Sequence, residues 1–153
     1  MRSYVAMHRT FFAFTVVSAI GVDGVTLAHH AENGEVKVTE LSARDIIEKL
    51  DGKDASATVV EVTFEPGQKD LPHRHAGPVF GYVLEGEYEH AIDDQPVKTY
   101  KAGDTFYEPS GCVHRVARNP SGKTKTRLLA VILHPREAKD ATFPLNNPSD
   151  RQR

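Results

Sequence analysis

Three histidines in this chain have the spacing and setting of metal ligands. His73 and His75 are separated by one residue, so in an extended segment both imidazoles point to the same face and can bind one ion. His114 lies inside the apolar run CVHRVA, where a buried imidazole without a partner would lose its hydration. Taken singly, each is explained as well by a core histidine hydrogen-bonded to the backbone. Taken together, they predict a metal site.

The composition restricts which other chemistry is open to the chain. Cys112 is the only cysteine, so neither an intrachain disulfide nor a cysteine-based zinc cluster can form. Any metal must therefore be held by histidine or carboxylate. The formal net charge of -2 gives no general attraction to a nucleic-acid backbone. We expect a small-molecule ligand or substrate as the partner, and no nucleic acid.

The segments that must position the histidines have the pattern of β-strands in one domain. A length of 153 residues suits a single domain with a substantial core. Between turn residues, seven β-rich runs cover residues 58–64, 79–85, 87–92, 97–100, 104–108, 112–117 and 126–133. Regular short strands of this kind predict a sandwich or barrel. Residues 42–50 have a capping serine and apolar positions at helical spacing, which predicts at most a short helix.

The N-terminal residues have the layout of a secretory signal peptide. Arg2 and Arg9 precede an uncharged run of 12 residues from Phe11 to Val22, and a short polar stretch ends at Ala28. A membrane-spanning helix needs roughly 20 apolar residues. A buried core helix or a retained anchor is the alternative. We expect a mature protein that begins near His29, is periplasmic or secreted, and has no stable membrane insertion.

Around the histidines, the chain resembles the cupin superfamily, as a single-domain type 2 cupin with both signature motifs. The first motif corresponds to GQKDLPHRHAGPVFGYVLEG, residues 67–86, and the second to GDTFYEPSGCVHRVARN, residues 103–119. The positions that match are Gly67, His73, His75 and Gly86 in the first motif and Gly103, Pro109, Gly111 and His114 in the second.

This resemblance implies an all-β fold, a small antiparallel jelly-roll β-barrel preceded by the signal-like segment. It also implies a site in the mouth of the barrel where His73, His75 and His114 bind a divalent transition metal, which could be iron, manganese, nickel or zinc. Cupin barrels often dimerise through edge strands, so a homodimer is expected. The corresponding division of the chain is a signal peptide at 1–28, an N-terminal arm at 29–56, the barrel at 57–135 and a tail at 136–153.

The chain departs from the cupin pattern at position 79, where the family's metal-binding glutamate is replaced by Val79. Three neutral imidazoles leave the charge of a divalent ion uncompensated and favour an anionic, chelating ligand. Some dioxygenases of the superfamily hold iron with three histidines. The resemblance therefore implies a metal-dependent, dioxygenase-like enzyme acting on a small oxygen-bearing molecule. The alternatives are a metal-assisted lyase or isomerase, and a cupin that binds a small molecule or metal without catalysis.

Six residues are candidates for the cavity wall or for ligands in it. Val79 should be an apolar part of the wall, and Gln68 and Asp70, just before the histidine pair, could supply a replacement oxygen ligand. Cys112 lies two residues before His114 and should share its face. Either Tyr107 or Glu108 faces the cavity, but alternation alone does not decide which.

Other polar residues near the motifs are expected to be solvated. Glu87, Glu89 and His90 are predicted to lie on a solvated edge strand, and His134 is predicted to be exposed. No general base is evident beside the histidines. We therefore assign neither a catalytic residue nor an organic cofactor from the sequence.

Overall fold

The computed structural model describes residues 34–145, and every regular element in this range is a β-strand. The strands are β1 (Lys37–Leu50), β2 (Lys53–Phe64), β3 (His73–His75), β4 (Val79–Glu85), β5 (Glu87–Ile92), β6 (Lys98–Lys101), β7 (Thr105–Glu108), β8 (His114–Arg118), β9 (Thr126–Pro135) and β10 (Thr142–Pro144). The predicted signal peptide at 1–28 and the end of the predicted tail, residues 146–153, lie outside the described residues.

The strands form two sheets of five strands each, and all their pairings are antiparallel. One sheet has the order β1-β2-β9-β4-β7, and the other has the order β10-β3-β8-β5-β6. This architecture confirms the all-β antiparallel jelly roll. Within residues 34–145 there is accordingly no helix of the length and apolarity needed to cross a membrane.

The core between the sheets is built by strict alternation on β2 and β9. In β2 the side chains of Val60, Val62 and Phe64 are buried, while the residues between them are partly exposed. β9 pairs with β2 and repeats the alternation, with Leu128 and Ile132 buried. Because successive side chains of a strand point to opposite faces, these residues share one inward face. They give the barrel an apolar wall.

The short helix predicted for residues 42–50 is wrong, because this segment is part of β1. β1 pairs with β2 from Lys37 opposite Thr63 to Leu50 opposite Lys53. The turn Asp51-Gly52 joins the two strands, and both residues have positive φ, of 50° and 77°. Backbone pairing along the whole hairpin outweighs the local helical pattern. The sheet thus begins at Lys37, inside the segment predicted to be an arm.

Two further predictions about exposure are wrong. β5 is an interior strand between β8 and β6, so His90 is only 5% exposed. His134 on β9 is 1% exposed, and its Nε2 atom lies 3.0 Å from the hydroxyl of Thr58 on the neighbouring β2. Glu87 is exposed, as predicted for its face of β5, and Glu89 is partly exposed.

We predict that the Gly81→Ala substitution destabilises the barrel. Gly81 on β4 pairs with Phe106 on β7, and a Cβ atom at position 81 would overlap the Phe106 ring. Overpacking of this kind costs about 1–3 kcal/mol of unfolding free energy. Gly122→Ala is the matched control, because a Cβ atom there meets open space. Urea unfolding measures both variants, and equal midpoints for the two would contradict the packing at Gly81.

Candidate metal centre

Strand pairing brings the three predicted ligands, His73, His75 and His114, to one place between the sheets. His73 on β3 lies directly opposite His114 on β8, with ring centroids 4.8 Å apart. His75 shares the inward face of β3, and its Nε2 atom is 3.2 Å from the Nε2 atom of His73. The imidazoles at alternate positions of β3 therefore converge as the spacing requires.

The outer nitrogens of the β3 histidines are held by hydrogen bonds. Nδ1–H of His73 donates to the carbonyl oxygen of Leu71 at 2.9 Å. Since a carbonyl only accepts, a neutral His73 presents an unprotonated Nε2 towards His75. Nδ1 of His75 lies 3.1 Å from the hydroxyl of Thr142 on β10, which can hold it in the same tautomer. Bonds of this kind orient metal-binding histidines and leave their inner nitrogen for an ion.

A carboxylate stands beside the histidines on the strand next to Val79. Val79 on β4 is a buried part of the cavity wall, and its cross-strand partner on β7 is Glu108. The oxygens of Glu108 lie 3.5 Å from Nε2 of His75 and 3.3 Å from Nδ1 of His114. The carboxylate that the first motif lacks at position 79 is thus present one strand away.

The charge state of this cluster is set by burial and by mutual attraction. Burial alone would raise the pKa of Glu108, but attraction to His114 and the hydrogen bond from His90 outweigh it and lower that pKa well below its ordinary value. Burial lowers the pKa of His114 well below its ordinary value, although the charge of Glu108 opposes the shift. His114 favours the neutral form that can bind a metal, and the hydrogen bond from His90 together with the attraction to His75 and His90 then keeps Glu108 an anion.

Two buried atoms of the cluster need a partner. Within residues 34–145, the buried side-chain atoms that lack a hydrogen bond are Oε2 of Glu108 and Nδ1 of His114. Buried polar atoms in folded proteins almost always have one, so such exceptions need an explanation. A divalent cation would satisfy an anionic oxygen and a neutral imidazole nitrogen at once. The donor set therefore fits a transition metal ion.

The cluster opens on a small cavity with a volume of about 40 Å³. The residues that line it are Val60, Val62, Phe64, Asp70, His73, His75, Val79, Tyr88, Phe106, Glu108, His114, Ala117, Leu128, Ala130 and Ile132. One water needs about 10–15 Å³ of such free volume, so there is room for an ion and a few small ligand atoms. Neither lysine nor arginine is among these lining residues.

Three candidates for the cavity wall lie elsewhere in the structure. Gln68 is not among the lining residues. Its amide nitrogen donates hydrogen bonds to the carbonyls of Gly34 and Glu35, at the start of the described chain. Tyr107 is 51% exposed on the outer face of β7, which leaves Glu108 as the inward residue. Cys112 is half-buried before β8 and is not among the lining residues.

Sequence reasoning missed two residues of the cluster, Tyr88 and His90 on β5. The hydroxyl of Tyr88 lies 3.1 Å from Nε2 of His114, and Nε2 of His90 lies 3.2 Å from the Glu108 carboxylate. The signal was present, because the two residues alternate with the solvated Glu87 and Glu89 along one strand. The prediction of a solvated edge strand conflicts with this signal, because β5 lies between β8 and β6.

Comparisons with known proteins agree with this fold. The family model described as Cupin domain matches residues 60–132. Among solved structures, an uncharacterised protein with a double-stranded β-helix domain from Klebsiella pneumoniae is 24% identical over 76% of this chain and 89% of its own, with a TM-score of 0.56. A cupin-like protein from Thermotoga maritima is 18% identical over 82% of this chain and 91% of its own, with a TM-score of 0.55.

An oxalate oxidase structure is also similar to this chain. It is 21% identical over 86% of this chain and 62% of its own length, with a TM-score of 0.54. A search of curated proteins found no match. At these identities the structural likenesses show the fold, and the chemistry must be argued from the site.

We predict that the metal-free protein loses stability as the pH falls. Because the pKa of His114 is lowered in the folded state, the unfolded chain binds more protons below about pH 6.5, and unfolding becomes easier there. The stability that the neutral His114 provides is fully present above that pH. His114→Phe should make the decline shallower in urea unfolding between about pH 7.5 and 5.5. An unchanged slope would show that His114 is not the titrating group.

Proposed function

Since the chain carries a cupin domain and so belongs to the cupin superfamily, we propose that it is a metal-dependent, dioxygenase-like enzyme acting on a small oxygen-bearing molecule. One observation carries this proposal: His73, His75, His114 and Glu108 converge on a buried cavity, in which Oε2 of Glu108 and Nδ1 of His114 have no hydrogen-bond partner among residues 34–145. Imidazole and carboxylate together suit iron, manganese, nickel or zinc.

Glu108 gives the site an anionic ligand that is not evident from the sequence. A bound ion would supply Lewis acidity and, in the case of iron, access to dioxygen. Glu108 lines the cavity as an anion, and its Oε2 atom has no hydrogen-bond partner among the described residues. Its lowered pKa makes it a weak base, so its role in the proposal is to help hold the ion through that oxygen.

Tyr88 orients one of the candidate ligands, and the apolar walls limit the water in the cavity. The Tyr88 hydroxyl holds Nε2 of His114, and burial together with the charge of Glu108 raises the pKa of Tyr88 well above its ordinary value. The phenol therefore stays protonated and keeps the imidazole oriented. Val60, Ile132 and Val79 line the cavity with apolar surface, which limits the water inside.

Glu108 also alters the expected charge of the ligand. An anionic chelator was expected because three neutral imidazoles leave a divalent ion uncompensated. With Glu108 beside His75 and His114, one unit of that charge is already balanced. Since no lysine or arginine lines the cavity, we expect a neutral or singly charged ligand of a few heavy atoms.

The second candidate is a cupin that binds a metal or small molecule without catalysis. The small cavity favours it, because a volume of about 40 Å³ leaves little space for two reactants beside an ion. Oxygen uptake separates the two candidates. The Fe(II)-loaded enzyme should consume dioxygen with one of a panel of small carbonyl, carboxylate or diol compounds, and the Zn(II)-loaded protein should not. Binding of a compound without turnover under any loaded metal favours the second candidate.

We predict that the purified protein holds about one divalent transition metal per chain and that His114→Ala loses it. His114 is the residue that both groups of candidate ligands contain. His134→Ala is the matched control, because His134 is equally buried but bonds to Thr58 outside the cavity. Metal analysis after incubation with Fe(II), Mn(II), Ni(II) and Zn(II) measures both. A wild-type protein that stays metal-free with all of them would refute the proposal.

We also propose that the protein is exported and that its mature chain begins near His29, as the charged start and apolar run of the sequence suggest. Intact-mass analysis of the protein from its native host should therefore give a chain without residues 1–28. A mass that includes Met1 or its neighbours would contradict export by cleavage. The homodimer expected from the resemblance stays a prediction.

A further inference from the structure

We infer that the barrel contains a second metal position, formed by His90, Glu108 and His114. It goes beyond the proposed function, which uses His73, His75, His114 and Glu108 and gives His90 no role. The two groups have His114 in common. The second group lies on β5, β7 and β8.

The distances in this group match those between the donors of a four-coordinate ion. Nε2 of His90 is 3.2 Å and Nδ1 of His114 is 3.3 Å from the same oxygen, Oε1 of Glu108. All three donor atoms lie within 4.8 Å of one another. A tetrahedral zinc ion with bonds of about 2.0–2.1 Å keeps its donors about 3.3–3.4 Å apart. The two distances to Oε1 therefore match those around such an ion, and the third, between the two histidines, is at most 4.8 Å.

Hydrogen bonding alone leaves this group incomplete. Nε2–H of His90 donates to Oε1 of Glu108, which accounts for one contact. Nδ1 of His114 makes no hydrogen bond although it is buried and only 3.3 Å from that oxygen. Two atoms that bind the same metal ion lie at about this distance from each other but do not have hydrogen-bond geometry, because each points towards the ion.

The second position is formed around the negative charge of Glu108, because His90 and His114 both lie close to the same oxygen of that residue, Oε1. Its three side chains are at most 5% exposed, so an ion there is shielded from water. A buried ion is favoured where an opposite charge contacts it directly. The Glu108 carboxylate provides that charge at the second position.

The packing around His90 holds the second position rigid. The His90 ring contacts the rings of His114 and Phe106, with centroids 4.7 Å and 4.9 Å apart. Tyr100 on β6 packs edge-on against its other side, at 5.8 Å. Ligands fixed in this way need little ordering when an ion binds. Since both positions use His114, we expect one ion per chain, bound at one or the other.

The test removes each position separately and measures Zn(II) binding by calorimetry and metal analysis. His73→Ala/His75→Ala removes two ligands of the first group, and His90→Phe removes a ligand of the second while keeping an aromatic ring in its place. Each variant should still hold about one ion, because one position remains in each. The triple variant should bind none. Co(II) spectra should differ between the two binding variants, because the two positions contain different numbers of imidazole ligands.

The inference is overturned if His73→Ala/His75→Ala holds no ion at a concentration that saturates His90→Phe. In that case the proposed metal site stands, because His90→Phe still binds; a metal-free wild type would refute both. Circular dichroism melts establish that each variant is folded. Should the double variant not fold, His75→Ala alone replaces it, since this side chain is the most exposed of the first group. Loss of zinc by that folded single variant would equally overturn the inference.

Discussion

The carboxylate of Glu108 is buried among three histidines that lie on three different strands, and the chemistry of the site depends on how its charge is compensated. A charge removed from water must be compensated by hydrogen bonds, by opposite charge or by a metal. Here His75, His90 and His114 approach its two oxygens from different strands at 3.2–3.5 Å. One of those oxygens still has no hydrogen bond among the described residues. The packed core therefore offers a cation an anionic oxygen as a ligand.

The position of Glu108 shows how the candidate metal centre can contain a carboxylate although position 79 is a valine. Val79 occupies the place of the family's glutamate, and Glu108 is its direct cross-strand neighbour. Side chains paired in this way have Cβ atoms about 4.5–5.5 Å apart, which is within the reach of a glutamate. A carboxylate on β7 can thus approach the same space as one on β4. The scaffold of histidines on β3 and β8 needs no change.

What could be predicted from the sequence depended on whether the signal was local. The same-face arrangement of His73 and His75 follows from the geometry of any strand, so it was predicted. Whether Tyr107 or Glu108 faces inward is fixed by the pairing of β7 with β4, which alternation within so short a strand does not reveal. The burial of His90 likewise depends on the pairing of β5 with β6, which are separate segments of the sequence. β1 was mistaken for a short helix because its pairing with β2 outweighs its local pattern.

The most direct test of this account moves the carboxylate back to the position of the family motif. Zinc affinity is measured by calorimetry for the wild type, for Glu108→Gln and for Glu108→Gln/Val79→Glu. We predict that Glu108→Gln weakens binding at least about tenfold, because the amide lacks the charge, and that adding Val79→Glu restores most of the loss. If Glu108→Gln binds zinc as tightly as the wild type, the carboxylate is not part of the metal centre, and the account is wrong.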